Sequence, residues 1–314
     1  MNQFIPNSSK EGGGAVDKRS MSPMNRKALR DTLLFTLPAV VMVLIAIYIP
    51  FVMSGFYALT EWNGISRNPR FIGLLNFRTI FSSGSPEFVN ALVFTFRYSA
   101  LFIIFSNVLA LALAVALTKK FRLANFLRGM FFLPYIMSMT IVGFIWKFIF
   151  TQGFEKLYEL TGWAVWNLSW LGDASLAFYS LTLVGVWQSL GFYIVLYIAG
   201  LQAIPTEIME AASIDGANGR QRFFRVVLPL LGPSITTCIF MSLTNSLKVF
   251  DIILALTKGG PGGATYSATL DIYREAFQNN NYGLGSAKAI VFFVIVLILT
   301  QIVLKIFERR EVKQ

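Results

Sequence analysis

Residues 174–206 read ASLAFYSLTLVGVWQSLGFYIVLYIAGLQAIPT, a stretch without a single charged side chain. About 20 apolar residues in a helix cross the ~30 Å hydrocarbon core of a bilayer, so this run alone is long enough to span one. Its apolar character is continuous, whereas barrel strands are about 10 residues of alternating polarity. A helix also bonds all of its backbone N–H and C=O groups internally, as lipid demands. Working outward, charge-free runs recur at 32–60, 98–118, 129–146, 226–247 and 289–304, the last preceded by the uncharged stretch 283–287. The fold class expected is all-α: a polytopic membrane protein with six transmembrane helices and a polar helical hairpin between the fourth and fifth. Pro38, Pro50 and Pro134 fall inside the runs; membrane helices tolerate prolines that soluble ones do not.

Composition agrees. The 314 residues are 55% hydrophobic and 14% charged, with mean hydropathy +0.61, against about a quarter charged in soluble domains. The formal charge of +11 comes from Lys and Arg flanking the apolar runs. No nucleic-acid-binding motif accompanies it, so nucleic acid is not an expected partner. The lone Cys238 can form no intrachain disulfide. Histidine is absent, which removes imidazole acid–base chemistry and imidazole metal ligation. No catalytic residue and no metal site is expected.

Lys and Arg counts set orientation, because inner loops are enriched in them. With the N-terminus inside, 17 of the 27 Lys and Arg fall on inner segments and 10 on outer ones. Both termini are therefore expected in the cytoplasm. Residues 1–28, with Gly12–Gly13–Gly14, lack the apolar core of a signal peptide and read as a flexible cytoplasmic tail. The membrane domain is expected over 29–308, with a short tail at 309–314. Trp163, Trp166 and Trp170 suit the membrane–water interface. Ala110, Ala112, Ala114 and Ala116 make the second span small-sided and allow close helix approach.

The segment 203–233 is too polar to cross and too patterned for an idle loop. Thr206 is the expected N-cap of a short helix, with Glu207 and Glu210 in its first turn, where the helix dipole favours acids. Ile208, Ala211, Ala212 and Ile214 form a small apolar face, and Gly216 can end the helix in the left-handed conformation. A basic amphipathic piece follows, with Arg220, Arg222 and Arg225 against Phe223, Phe224 and Val227. Pro229 and Pro233 mark the start of the fifth span. The residues alone allow two readings, a docking knob for a cytoplasmic partner or a membrane-surface elbow.

Glu210–Ala211–Ala212, then Gly216, then Val226 and Leu228–Pro229 resemble, at full spacing, the EAA loop of ABC importer permeases. Asp215–Gly216–Ala217, Leu256–Thr257–Lys258–Gly259–Gly260–Pro261 and Lys248–Val249–Phe250–Asp251 are similar to stretches of the carbohydrate-uptake branch, and the resemblance runs over roughly residues 30–310. It implies a compact six-span permease of a binding-protein-dependent importer in the bacterial cytoplasmic membrane, without the large extracellular insertion of one maltose-system relative. It further implies a second, similar permease, two ATPase subunits docked at the coupling helices, and an extracellular solute-binding protein. Glu207, Glu210, Ala211, Ala212, Asp215 and Gly216 become the expected ATPase-coupling residues. No Walker A pattern occurs in the chain, so ATP and Mg belong to the ATPase partners, and this chain is expected to be no enzyme and to hold no cofactor. Oligosaccharide is the favoured solute class; polyol, sugar phosphate and uronate are the alternatives, and a membrane enzyme or a stand-alone transporter is the further alternative to an importer permease.

Polar groups at membrane depth face a bundle interior or a water-filled path. Gln188, Tyr193, Ser242, Asn245, Ser246, Lys248 and Asp251 are the expected path residues, with Asn245 foremost. Thr244 and Ser189 lie among them. Lys248 and Asp251, at i and i+3, have the alternative of pairing with each other.

Overall fold

The computed structural model describes residues 23–82, 86–119 and 122–309. Most of the expected N-terminal tail (1–28) and all but Arg309 of the C-terminal one (309–314) lie outside the described residues. The chain forms two compact units, Met1–Met53 and Ser54–Gln314. The first is helical from Pro23, with a π-helical turn at Leu44–Tyr48. It contributes most of the apolar helix Arg30–Tyr57.

The described residues of the second unit are mainly helical, with a two-residue antiparallel ladder pairing Thr60–Glu61 with Arg70–Phe71. Three of its helices are unbroken and long enough to cross a bilayer: Glu87–Thr118, Ala174–Gln202 and Tyr282–Glu308. Two further helix pairs reach that length only together. Ala124–Ile136 and Met139–Thr161 bend by 99°, and Gly219–Leu230 and Gly232–Leu247 bend by 67°. With Arg30–Tyr57, this gives four uninterrupted spans among the described residues, or six when each bent pair counts as one.

The third and fifth of the expected spans are thus each bent. Pro134 lies two residues before the end of the first helix of its pair, where it removes an amide donor, and Met137 leaves helical geometry at φ −71°, ψ 143°. In the other pair the chain turns at Leu231 and restarts at Gly232–Pro233. The last span begins earlier than its charge-free core. Lys288, counted above with the outer charges, sits inside it, 3% exposed, with its ammonium 2.8 Å from both Asp271 and Glu275. Burial raises the Asp271 carboxyl from its ordinary range, against the hydrogen bond from Lys288, which lowers it.

Ala174–Gln202 is the centre of the unit and packs against Glu87–Thr118, Ala124–Ile136 and Gly232–Leu247. In the second span Ser106, Ala110 and Ala114 are fully buried, spaced by four on one helical face, whereas Ala112 and Ala116 are exposed. Small residues at that spacing let helix backbones approach. Gly191 shows how closely: a Cβ there would lie 2.1 Å from the Phe131 carbonyl oxygen. Trp166 and Trp170 pack with Phe150 and Phe154 in one aromatic cluster.

Candidate functional site: a cavity at two helix breaks and an exposed hairpin

The first site is a cavity of about 300 Å³ whose walls include Gln188, Asn245, Ser246, Lys248 and Asp251, five of the seven expected path residues. Tyr98, Phe102, Tyr135 and Met139 complete much of the wall. Asn245, Lys248 and Asp251 are exposed to the cavity. Lys248 and Asp251 form no ion pair among the described residues, so the alternative of mutual pairing is not realised. The wall offers an ammonium, a carboxylate, a primary amide and aromatic faces, the groups that bind a polyhydroxylated ligand.

Two helix interruptions border this cavity, the 99° bend and a second break after Leu247; the 67° bend at Leu231 does not. The 99° bend supplies Tyr135 and Met139. The end of Gly232–Leu247 and the restart at Asp251–Leu256 supply Lys248 and Asp251. Broken helices at membrane depth are tolerated where they are buried in protein or line a cavity, because their freed carbonyls need partners. Gln188 is one such partner: its side-chain amide donates to the Tyr135 and Met137 carbonyls, each at 3.4 Å. It therefore holds the third-span break as well as lining the cavity.

Ser242 and Tyr193 are not on the wall. Both are 0% exposed. Ser242 accepts from Asn107 Nδ2 at 3.0 Å and donates to the Ile239 carbonyl. Tyr197 donates to Asn107 Oδ1 at 2.8 Å. Asn107 thus ties three spans together, a role that no pattern around it announces. The buried Tyr193 hydroxyl has no hydrogen-bond partner among the described residues.

The second site is the hairpin. Helix Thr206–Ile214 is preceded by Pro205 in the cap position (φ −58°, ψ 136°), and no side chain caps it. Thr206 is therefore the first helical residue rather than the N-cap. Proline fits there because it has no N–H to leave unbonded. At the other end Gly216 adopts φ +76°. Its N–H donates to Ser213 O, and Ala217 N–H donates to Ala212 O, both at 3.1 Å. These are the paired bonds of a Schellman motif.

The return arm starts at Asn218, which exchanges hydrogen bonds with Gln221 in a capping box, a signal that Asn-x-x-Gln carries in the sequence. Arg222 crosses to Ser213 Oγ at 2.8 Å. Glu207, Glu210, Ala211, Asp215 and Gly216 are exposed, and Ala212 is half-buried. Ile214 is 86% exposed at the tip.

Residues 106–313 match the family described as the inner membrane component of binding-protein-dependent transport systems. The probable starch degradation products transport system permease protein AmyD of Thermoanaerobacterium thermosulfurigenes is 40% identical over 280 residues, covering 89% of this chain and 94% of that protein. The multiple sugar-binding transport system permease protein MsmF of Streptococcus mutans serotype c is 35% identical over 278 residues, covering 88% and 95%. In fold, the chain resembles a chain of a bacterial ABC transporter involved in the import of the acidic polysaccharide alginate, with TM-score 0.77, 22% identity, and 92% and 99% of the two chains covered. Spans, hairpin and family match agree, and the chain belongs to the family of membrane-integral permease components of binding-protein-dependent transport systems, as a transport subunit and not an enzyme.

Proposed function

We propose that this chain forms one half of the sugar path in an ATP-driven importer of the bacterial cytoplasmic membrane, with both termini in the cytoplasm. A second, homologous permease supplies the other half. Two cytoplasmic ATPase subunits, which bind ATP and Mg, dock at the coupling helices, and an extracellular solute-binding protein delivers the solute. The observation that carries this reading is the helix Thr206–Ile214, closed by a positive-φ glycine, with acids and Ile214 left exposed on a rigid reversal. Glu207, Glu210, Ala211, Ala212, Asp215 and Gly216 form its ATPase-facing surface.

The solute is an oligosaccharide. Relatives named for starch degradation products and multiple sugars support this. So does a wall whose single ammonium and single carboxylate balance, which suits a neutral solute better than an anionic one. Asn245, Lys248 and Asp251 contact the sugar, with Ser246 and Gln188 behind them.

The test is Gly216→Val in the assembled complex. A β-branched residue is strongly disfavoured at positive φ, and the substitution touches no span. Normal permease levels are expected, with weakened ATPase retention and loss of sugar-stimulated ATP hydrolysis. Full ATPase retention and full transport would show that the hairpin is only a membrane-surface elbow. Uptake measured across a panel of neutral, phosphorylated and uronic sugars identifies the solute.

A further inference from the structure

The second break at the cavity, like the first, frees a carbonyl. After Leu247 the chain leaves the helix, with Lys248 at φ −94°, ψ 21° and Phe250 at φ −144°, ψ −61°. Val249 lies between them, 7% exposed. A buried carbonyl without a donor is costly. This one has two: Ser267 Oγ donates to it at 2.9 Å and Thr269 Oγ1 at 2.5 Å. A carbonyl oxygen carries two lone pairs, so both hydroxyls are accommodated. Two donors on one oxygen restrain the peptide plane more than either alone.

The element bearing these hydroxyls is itself clamped. Ser267 accepts from Leu270 N–H at the start of helix Ala268–Tyr273. Ala268 N–H donates to Thr95 Oγ1 of the second span at 3.0 Å. On the next turn, Asp271 and Glu275 hold Lys288 of the last span, and Asn281 donates to Glu275 at 3.1 Å. The two hydroxyls thus hang from a short helix pinned to two spans, and the peptide that they hold lies between Lys248 and Asp251.

We propose that Ser267 and Thr269 are positioning residues of the translocation cavity: by gripping the Val249 carbonyl they fix the helix break that presents Lys248 and Asp251 to the solute. Neither residue lines the cavity. The inference rests on the cavity being the sugar path, and its test separates the two.

The experiment is uptake by the complete complex in proteoliposomes, with maltotriose as the first probe and otherwise the panel sugar that the unmodified complex transports fastest. Thr269→Val keeps the shape and removes the hydroxyl, Thr269→Ser keeps the hydroxyl, and Ser267→Ala/Thr269→Val removes both. Half-saturation is expected to rise about three- to tenfold in Thr269→Val, the worth of one ordinary hydrogen bond, and further in the double variant. The maximal rate is expected to change less than half-saturation does, and Thr269→Ser should restore the original value. A merely structural role would lower complex yield and maximal rate together and leave half-saturation in place.

Unchanged half-saturation in both variants, with Asn245→Leu raising it, overturns the positioning role and leaves the cavity reading intact. Unchanged half-saturation in Asn245→Leu removes the cavity reading and this inference with it. If the double variant does not assemble, Thr269→Val against Thr269→Ser decides alone.

Discussion

The hairpin and the cavity solve the same problem, how to interrupt a helix, in opposite ways. In the hairpin the reversal between the two arms is repaired within a few residues, Gly216 to Ser213, Ala217 to Ala212 and Asn218 with Gln221, and Arg222 reaches across to Ser213. At the cavity the repair comes from far along the chain: Gln188 serves carbonyls about fifty residues away, and Ser267 and Thr269 serve Val249. The difference follows from the surroundings. The hairpin has water for its remaining groups, so local repair is enough, whereas lipid offers no donor and the cavity must recruit one from another element. A locally repaired break is a self-contained module. A remotely repaired one makes the geometry of the site depend on the packing of the whole bundle.

That contrast can be broken experimentally. The largest effect is expected at Lys288, where replacement by Met leaves Asp271 and Glu275 without their buried cation. Loss of one partner of a buried ion pair costs about 3–5 kcal/mol. The purified complex should melt at markedly lower temperature. An unchanged melting temperature would show that the remote network carries little of the fold.

Next comes Gly216. A Cβ there would meet nothing within 4 Å, so the demand for glycine is one of backbone conformation alone, worth about 1–2 kcal/mol for an L-residue. Gly216→Asn, which tolerates the left-handed region, should keep most sugar-stimulated ATP hydrolysis while Gly216→Val loses at least about tenfold. Equal loss in both would mean that side-chain bulk at a partner surface matters, and not φ.

Asn245→Leu follows, with normal assembly and half-saturation of transport raised about three- to tenfold, as for one lost hydrogen bond. Kinetics identical to the unmodified complex would take Asn245 off the path. Smallest is Ser213→Ala, which removes an exposed contact to Arg222. A change of about 0.5 kcal/mol or less is expected for such a surface substitution, and a larger one in thermal denaturation would show the hairpin arms to be less independent than their bonding pattern implies.

The same contrast explains what could be read in advance. The spans declared themselves through long charge-free runs, and the hairpin through short-range grammar: acids after a helix start, alanines, then a glycine at the turn. Five cavity residues were legible because polar groups inside apolar runs are conspicuous. Hidden were the features that depend on contacts remote in sequence. Asn107 looked like one more polar residue in a span, and only the fold shows it bridging Tyr197 and Ser242. Lys288 looked like a flanking charge until Asp271 and Glu275 met it. The 99° bend carried only a partial signal in Pro134, since membrane helices often accommodate proline without breaking. Asn218 was readable from its spacing to Gln221, and Thr206 misled because Pro205 took its place.

The closure of the hairpin by bonds within the segment 211–222 also has a consequence for the proposed docking of a partner on it. A surface whose backbone is already fixed has little conformational entropy left to lose, and ordering a flexible segment is a principal cost of association. The reversal therefore presents a preorganised shape. Docking is expected to proceed as a rigid-body encounter with fast, weakly temperature-dependent kinetics, and the work of the transport cycle can be transmitted through the hairpin rather than spent in folding it.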